Sequence, residues 1–462
     1  MGTGNDAFPR PVAPLANRCS SRRTLLKGAA GVGAAAIAGA RIIVPARAQG
    51  GDPVTFWTTF TDPDLAILKG MVETYNGTSP SVPAELVQIP PAEVTDTTKL
   101  MTAVRGGTGP DVYHLDRFIV AQRAADGVLQ DLSAFPGGDT FLENHLPFAR
   151  SEASYDGKPY ALPFDTDARA LYYNRRMLEE AGADISVLDP ANGPATWDAV
   201  KEIANGLNEQ GPDGNYTRMG FIPWANQGWH YTYGFSWGGE FFDQEACEVT
   251  PDNPQVVAAF QWVYDYCQEL GAQQVSAFGT PTMQPGFPPQ QHPFITGNLA
   301  MQITGDWMIN QLRTYAPEMD YGITFIPVPN EGDESATWAG GWSMAMPLGA
   351  KQSEAAFEFM TWIAGEDGQR IYTRESAHLP TWEALLADET LFEERHRFFS
   401  QELLPIAKNR PPLPVGAKYW DELTAAWQAV YLNEQEPQAA LTAVKERVQS
   451  QLGRFCPVTI EG

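Results

Sequence analysis

Apolar residues along this chain follow two rhythms. Short alternating or continuous runs, "VTFW" (54–57), "AELVQI" (84–89), the stretch from Asp111 in "DVYHL" and "YGITFIPVP" (321–329), read as strands. Between them the period lengthens to that of a helix. "LAILKGMVETYN" puts Leu65, Leu68, Val72 and Tyr75 on one face. Residues 194–211 do so with Trp197, Val200, Ile203, Ala204 and Leu207, and residues 254–271 with Val257, Phe260, Tyr264 and Cys267. "TTKLMTAVR" is a helix stopped by Gly106-Gly107, and "SEAAFEFMTWIAG" (353–365) is a capped one. "FITGNLAMQITGDWMINQL" reads as a strand, a turn at Gly305-Asp306 and a helix opening near Trp307. Strands alternating with helices predict parallel α/β construction. In such sheets ligands sit beyond the carboxyl ends of the strands, which places Thr58 to Asp62 and Asp116-Arg117 at the rim of a crevice.

Two stretches break the rhythm. Residues 281–293 hold five prolines and read as an irregular surface segment. "GWHYTYGFSWGG" (228–239) carries rings at Trp229, Tyr231, Tyr233, Phe235 and Trp237 with no aliphatic residue. As a helix it aligns Trp229, Tyr233 and Trp237 on one side and turns Tyr231 and Phe235 elsewhere.

The amino end stands apart from this pattern. Basic residues precede a Gly/Ala-rich run, and Ala46-Arg47-Ala48 follows it, the order of an export peptide. "SRRTLLK" (21–27) is similar to the twin-arginine signal, so residues 1–48 read as a leader and the mature chain as periplasmic. The whole chain has a net charge of −25, and without the leader 24 basic residues face 55 acidic ones, a net −31. Such a polyanion is repelled by nucleic acid and by anionic lipid. At 462 residues, two lobes are expected. Three of the four cysteines follow the leader, with no C-x-x-C spacing. A Cys247–Cys267 bridge is the pairing considered for an exported chain. The six histidines form no ligand pair, so neither metal nor cofactor is expected.

In order, "VTFWTTFTDPD", "KLMTAVRGGTGPDVYHLDRF", "GKPYALPFDTDARALYYNRRMLEEAGA", "PATWDAVKEIANGL", "FITGNLAMQITGDWMI", "TWAGGWSMAMP" and "AAFEFMTWIAGEDGQ" resemble the extracellular solute-binding proteins of bacterial ABC importers, in their maltodextrin-binding branch. The likeness runs over nearly all of the chain after the leader. It implies an α/β fold of two hinge-linked lobes with mixed and parallel sheets, the type II periplasmic binding fold. Residues 49–166 plus 343–363 would form one lobe and 167–342 plus 364–462 the other, with crossings near 162–174, 338–346 and 362–368. It further implies a monomer that hands a carbohydrate to membrane permease subunits and catalyses nothing.

A neutral sugar presents hydroxyl pairs at its edge and C–H patches on its faces, which suit carboxylates and rings respectively. The resemblance carries ligand contact onto Thr59 and Asp62 in the first loop, Asp116 and Arg117, and Asp165 and Asp167 at the first crossing. It carries stacking onto Trp307 and Trp420. Since the region of the ring-rich segment begins near the crevice in the relatives, it also makes Trp229, with Trp224 just ahead, the ring at the mouth and the later rings packing. Gly341 and Trp342 lie at a crossing where glycine lets backbone approach a ligand. Thr424 stands where maltodextrin-binding relatives place an arginine. Three alternatives stay open: a glycerophosphoryl compound, a polyol or quaternary-ammonium solute, and a carbohydrate-active enzyme built on the same acids.

Overall fold

The computed structural model describes residues 52–90, 96–279, 283 and 287–460, so the leader lies outside the described residues. Ten strands make two five-stranded sheets: β1 Val54–Thr58, β2 Ala84–Gln88, β3 Val112–Asp116, β4 Ala161–Pro163, β5 Arg169–Asn174, β6 Glu209–Gln210, β7 Tyr216–Phe221, β8 Leu299–Gly305, β9 Tyr321–Thr324 and β10 Trp342–Ala345. The first sheet has the order β2-β1-β3-β10-β4 and the second β9-β5-β8-β7-β6. In the first, β1 runs parallel to β2 and β3 while β10 is antiparallel to β3 and β4. In the second, β7 and β8 are parallel and β5 is antiparallel to both β8 and β9. Both sheets are thus mixed, as expected.

The helices form where the apolar stripes predict them. Leu65, Leu68, Val72 and Tyr75 of helix Asp64–Gly77 are buried, with Met71 beside them. Helix Pro254–Leu270 starts where the Asn253 side chain accepts from the Val256 N–H at 3.0 Å, with Pro254 in the first turn. Its buried face is centred on Val256, Phe260, Val263 and Cys267, so Val257 and Tyr264 flank the stripe instead of lying in it.

The chain passes between the sheets three times. It leaves the first after β4, enters the second at β5, and returns through Gly340-Gly341 into β10. The third passage differs from the expected one near 362–368. Helix Glu366–Ser376 buries Tyr372 in the same core as Val54, Leu68 and Phe359, so the first lobe extends beyond residue 363. Only then does Leu379–Pro380 pair antiparallel with Asp165–Thr166.

The cysteines correct another expectation. Cys247 bridges Cys456, with Cα atoms 6.1 Å apart, and not Cys267. Cys267 is unexposed on the core face of its helix and cannot reach a turn at the surface. The observed bridge ties the chain after helix Pro437–Leu452 to the turn between Phe242–Asp243 and Glu248–Val249. Closing a 209-residue separation restricts the unfolded chain, and such a link stabilises by about 2–4 kcal/mol. Cys456→Ser should lower the urea midpoint accordingly while Cys267 stays unreactive toward thiol reagents in the native state. An unchanged midpoint would show that the bridge contributes nothing.

Candidate functional site

At the crossing, Arg117 is fully buried at the carboxyl end of β3. Its Nε donates to Glu152 Oε2 at 2.8 Å, Nη2 donates to the Gly340 carbonyl at 2.5 Å, and Nη1 donates to the Asp165 carbonyl. One guanidinium from the first lobe therefore holds two of the connecting segments. The carboxylates lace the same segments in the opposite direction. Asp165 Oδ1 accepts from the Trp342 N–H and Asp167 Oδ1 from the Gly340 N–H, each at 2.6 Å. Gly341 sits between them at φ +127°, where a Cβ would lie 2.3 Å from the Asp165 carbonyl oxygen. Only glycine fits that approach without strain.

Beside this lacing lies a cavity of about 270 Å³. Two ion pairs form its polar wall: Arg410 donates to Asp116 at 2.8 Å, and Arg169 donates to Asp167. Both guanidinium groups also lie flat on rings, Arg169 at 3.5 Å from the Trp338 centroid and Arg410 at 3.8 Å from that of Phe118. Burial raises the Asp116 carboxyl, and Arg410 opposes the rise. Burial also raises Asp165 and Asp306 well above the usual carboxylate range. His378, between them, has its Nδ1 at 3.5 Å from Asp165 Oδ2 and is lowered by burial to about 4, so it is neutral near pH 7.

The remaining walls are aromatic. Trp307 caps helix Met308–Tyr315, stacks on His378 at 5.6 Å, and lies where a Gly305 side chain would have to be, since a Cβ there would stand 2.0 Å from its ring. Trp342, Phe60, Trp420 and Trp229 complete the enclosure. The ring-rich segment is helical over His230–Ser236, and Trp229 precedes its first turn. Tyr233 and Trp237 stack on Trp197 at 4.6 and 5.6 Å, whereas Tyr231 packs on Phe241 at 4.3 Å. Trp229 lines the cavity, Tyr231, Tyr233 and Phe235 are buried in the core, and Trp237 is half-buried against it.

Of the twelve candidate positions, Asp116, Asp167, Trp229, Trp307, Gly341, Trp342 and Trp420 line this cavity. Arg117 and Asp165 stand behind it and fix the connecting segments. Thr59 and Asp62 stay outside, half-buried and exposed respectively, while Phe60 and Asp64 of the same stretch line the wall. Trp224 stacks on Tyr431 at 4.5 Å and lines a neighbouring chamber. The sequence reading missed Phe60, Asp64, Arg169, Gln227, Gln311, Trp338, His378 and Arg410. For Arg169 a signal existed: it follows Asp167 at strand spacing in "DTDAR". Arg410 is brought in by the parallel pairing of Ala407–Asn409 with Thr337–Ala339, for which no local pattern speaks.

Residues 59–370 match the family model of the bacterial extracellular solute-binding proteins. A maltotriose-binding protein of Pyrococcus abyssi is 23% identical over 317 residues, 68% of this chain and 63% of its own length. Among solved structures, CpMnBP1 with mannotriose bound superposes with a TM-score of 0.74 at 23% identity, covering 86% of this chain and 99% of the other. UgpB of Mycobacterium tuberculosis in complex with glycerophosphocholine gives 0.69 at 20% identity, covering 88% and 100%.

Asp64, in the first turn of its helix, has its carboxyl raised to about 7 by burial, with the Asp62 charge adding to the shift. The folded chain keeps this proton between about pH 4 and 7 where the unfolded chain has lost it, so its contribution to stability falls as pH rises through that window. Asp64→Asn should therefore gain on the wild type by about 1–2 kcal/mol from pH 4 to pH 8, after discounting for partial solvent access. Urea titrations at both pH values measure this, and a gap that does not change with pH contradicts it.

Proposed function

The chain belongs to the bacterial extracellular solute-binding protein family and has its two-lobed type II fold, and from that premise we propose that it captures a neutral saccharide. The observation that carries this reading is the state of the two cavity arginines. Each is paired with a carboxylate and laid on a ring, so among the described wall residues no cation stands without a counter-charge to hold a phosphate. What the wall offers instead is acceptors and amides at the edges, from Asp64, Asp116, Asp167, Gln227 and Gln311, and indole faces above and below. This is the complement of a polyhydroxylated ring. It argues against a glycerophosphodiester, although a structural neighbour of similar fold carries one.

In this account the ligand bridges the lobes, and closure is the shift of population toward the state in which both touch it. The residues that bridge them, Asp165, Asp167, Gly340 and Gly341, act as the hinge. The protein acts outside the cytoplasm after twin-arginine export, as a monomer, and passes its cargo unaltered to the permease subunits of an ABC importer. The cavity is slightly below the roughly 300–1,000 Å³ of drug-sized sites, which suits one or two sugar rings.

A thermal-shift screen of mono- and disaccharides, polyols and glycerophosphodiesters tests the reading. A saccharide that binds only the native state should raise Tm by several degrees at a hundredfold excess over Kd. Trp307→Ala should weaken that ligand ten- to hundredfold, about 1.4–2.8 kcal/mol, in calorimetry. Stabilisation by glycerophosphodiesters alone, or turnover of a glycoside, would overturn it.

A further inference from the structure

Two buried polar atoms beside the cavity have no hydrogen-bond partner among the described residues, and they face each other. Asp165 Oδ2 and His378 Nδ1 are both enclosed and lie 3.5 Å apart. Such orphans are costly, and one proton between the two atoms relieves both. The imidazole is well held for this. It stacks on Tyr372 at 5.3 Å and on Trp307 at 5.6 Å, tilted by 20° and 21°. Tyr372 belongs to the first-lobe core and Trp307 caps a helix of the second, so a ring from each lobe fixes the same histidine. Its backbone is fixed as well, since the His378 N–H donates to Ser376 Oγ at 3.1 Å.

Three carboxyl groups crowd this point, and they are not equally compensated. Asp306 accepts the Trp307 N–H at 3.0 Å on one oxygen and the Leu379 N–H at 3.2 Å on the other. Asp167 has the Arg169 guanidinium and the Gly340 N–H. Among the described residues Asp165 has the Trp342 N–H on Oδ1 and nothing on Oδ2. Like charges so close do not all ionise, and the least compensated group keeps its proton. Burial acts in the same direction on Asp165, with Asp167 and Asp116 adding to the rise and Arg117 opposing it. The Arg117 guanidinium bonds the Asp165 carbonyl, not its carboxyl. On His378, burial disfavours the charged form, Arg169 and His396 add to this, Asp167 opposes it, and His114 and His378 repel each other as cations. Tyr372 is held neutral by its own burial. Asp165 Oδ1 accepts from Trp342 whether or not Oδ2 carries a proton, so the lacing of the connections is unaffected.

Resting on the saccharide reading above, we propose that Asp165 is a protonated acid whose Oδ2–H donates to His378 Nδ1, and that the imidazole so fixed presents Nε2–H to an acceptor oxygen of the ligand. His378 is then a specificity-determining contact and Asp165 its positioning residue. The His378 ring lines the cavity, and Nε2, unlike Nδ1, is not among its enclosed orphan atoms. A donor at this place has a use. The ring and glycosidic oxygens of a saccharide accept hydrogen bonds and cannot donate, so the carboxylates of Asp116 and Asp167 cannot bind them. A neutral imidazole can, without adding charge to the wall. As pH rises through the titration of Asp165, its proton leaves to solvent and the single ring proton moves to Nδ1, facing the new carboxylate. Nε2 then changes from donor to acceptor, and the contact is lost.

The test is long-range proton–nitrogen correlation NMR on protein labelled with 15N-histidine, with the His378 signal assigned by its loss in His378→Gln. Calorimetry with glucose, mannose, maltose and mannobiose accompanies it at the same pH values. Near pH 6 the wild type should show a protonated Nε2 and a bare Nδ1, and should convert to a protonated Nδ1 at higher pH. Asp165→Asn, whose amide donates to Nδ1 at every pH, should not convert. The sugar that binds should lose about tenfold in affinity across the wild-type conversion, and His378→Phe, which keeps the stacking, should bind it about tenfold more weakly near pH 6 with no step in pH. A protonated Nδ1 near pH 6, no conversion before alkaline unfolding, or the same conversion in Asp165→Asn overturns the proton assignment. Wild-type affinity in His378→Phe overturns the ligand contact. Saccharide capture survives each of these results, whereas binding of no saccharide at any pH overturns that reading and the contact together.

Discussion

The arrangement of the site depends on one buried cation. Arg117 is cut off from water, and a lone guanidinium there would be prohibitive, so its burial requires partners. It finds them on three separate pieces of chain: Glu152 beside it, the carbonyl of Asp165 on the outgoing connection and the carbonyl of Gly340 on the returning one. Because Asp165 and Asp167 answer with carboxylates bonded to the backbone of the returning segment, the two connections are tied to each other and to β3. Gly341, Trp342 and Asp167 reach the cavity at the angles they do because of this tie. A backbone crossing held only by its own peptide bonds would leave them free to turn.

The electrostatics follow from the same constraint. A chain with 56 acidic and 31 basic residues places two scarce arginines in the cavity wall, each beside a carboxylate, Arg410 at Asp116 and Arg169 at Asp167. Each pair keeps a buried carboxylate from standing alone, which would otherwise be strongly destabilising. The result is a wall rich in directional polar groups yet close to locally neutral. Such a surface can exchange hydrogen bonds with hydroxyl groups and offers little to an anion. The indoles supply the apolar half of the recognition, and their positions are set by packing: Trp307 by the absence of a side chain at Gly305, Trp338 by the Arg169 guanidinium and by its donation to Thr232 at 2.8 Å.

Much of this was legible in the sequence, for reasons that separate local from long-range information. The stripe Leu65, Leu68, Val72, Tyr75 marked a helix because one element's period is written in its own residues. Helical spacing set Tyr233 and Trp237 on one side, where both stack on Trp197, while the place of Trp229 came from the family resemblance. Asp116, Asp167, Trp229, Trp307 and Trp420 could be named because each stands in a distinctive local motif. Arg410 and Trp338 could not, since they meet through the pairing of strands some seventy residues apart. The Cys247–Cys456 link was hidden for the same reason, and proximity in sequence favoured Cys267 wrongly. The third crossing was set too early because "SEAAFEFMTWIAGEDGQ" gives no sign that the helix after it returns to the first core through Tyr372.

If Arg117 fixes both connections, a lysine in its place should keep the charge beside Glu152 but lose the fork that reaches two carbonyls. The decisive measurement is titration calorimetry of Arg117→Lys, checked for native circular dichroism, with the saccharide that stabilises the wild type most. The account predicts at least a hundredfold loss of affinity although the residue lies behind the cavity wall and not in it. Wild-type affinity in a folded Arg117→Lys protein would contradict it.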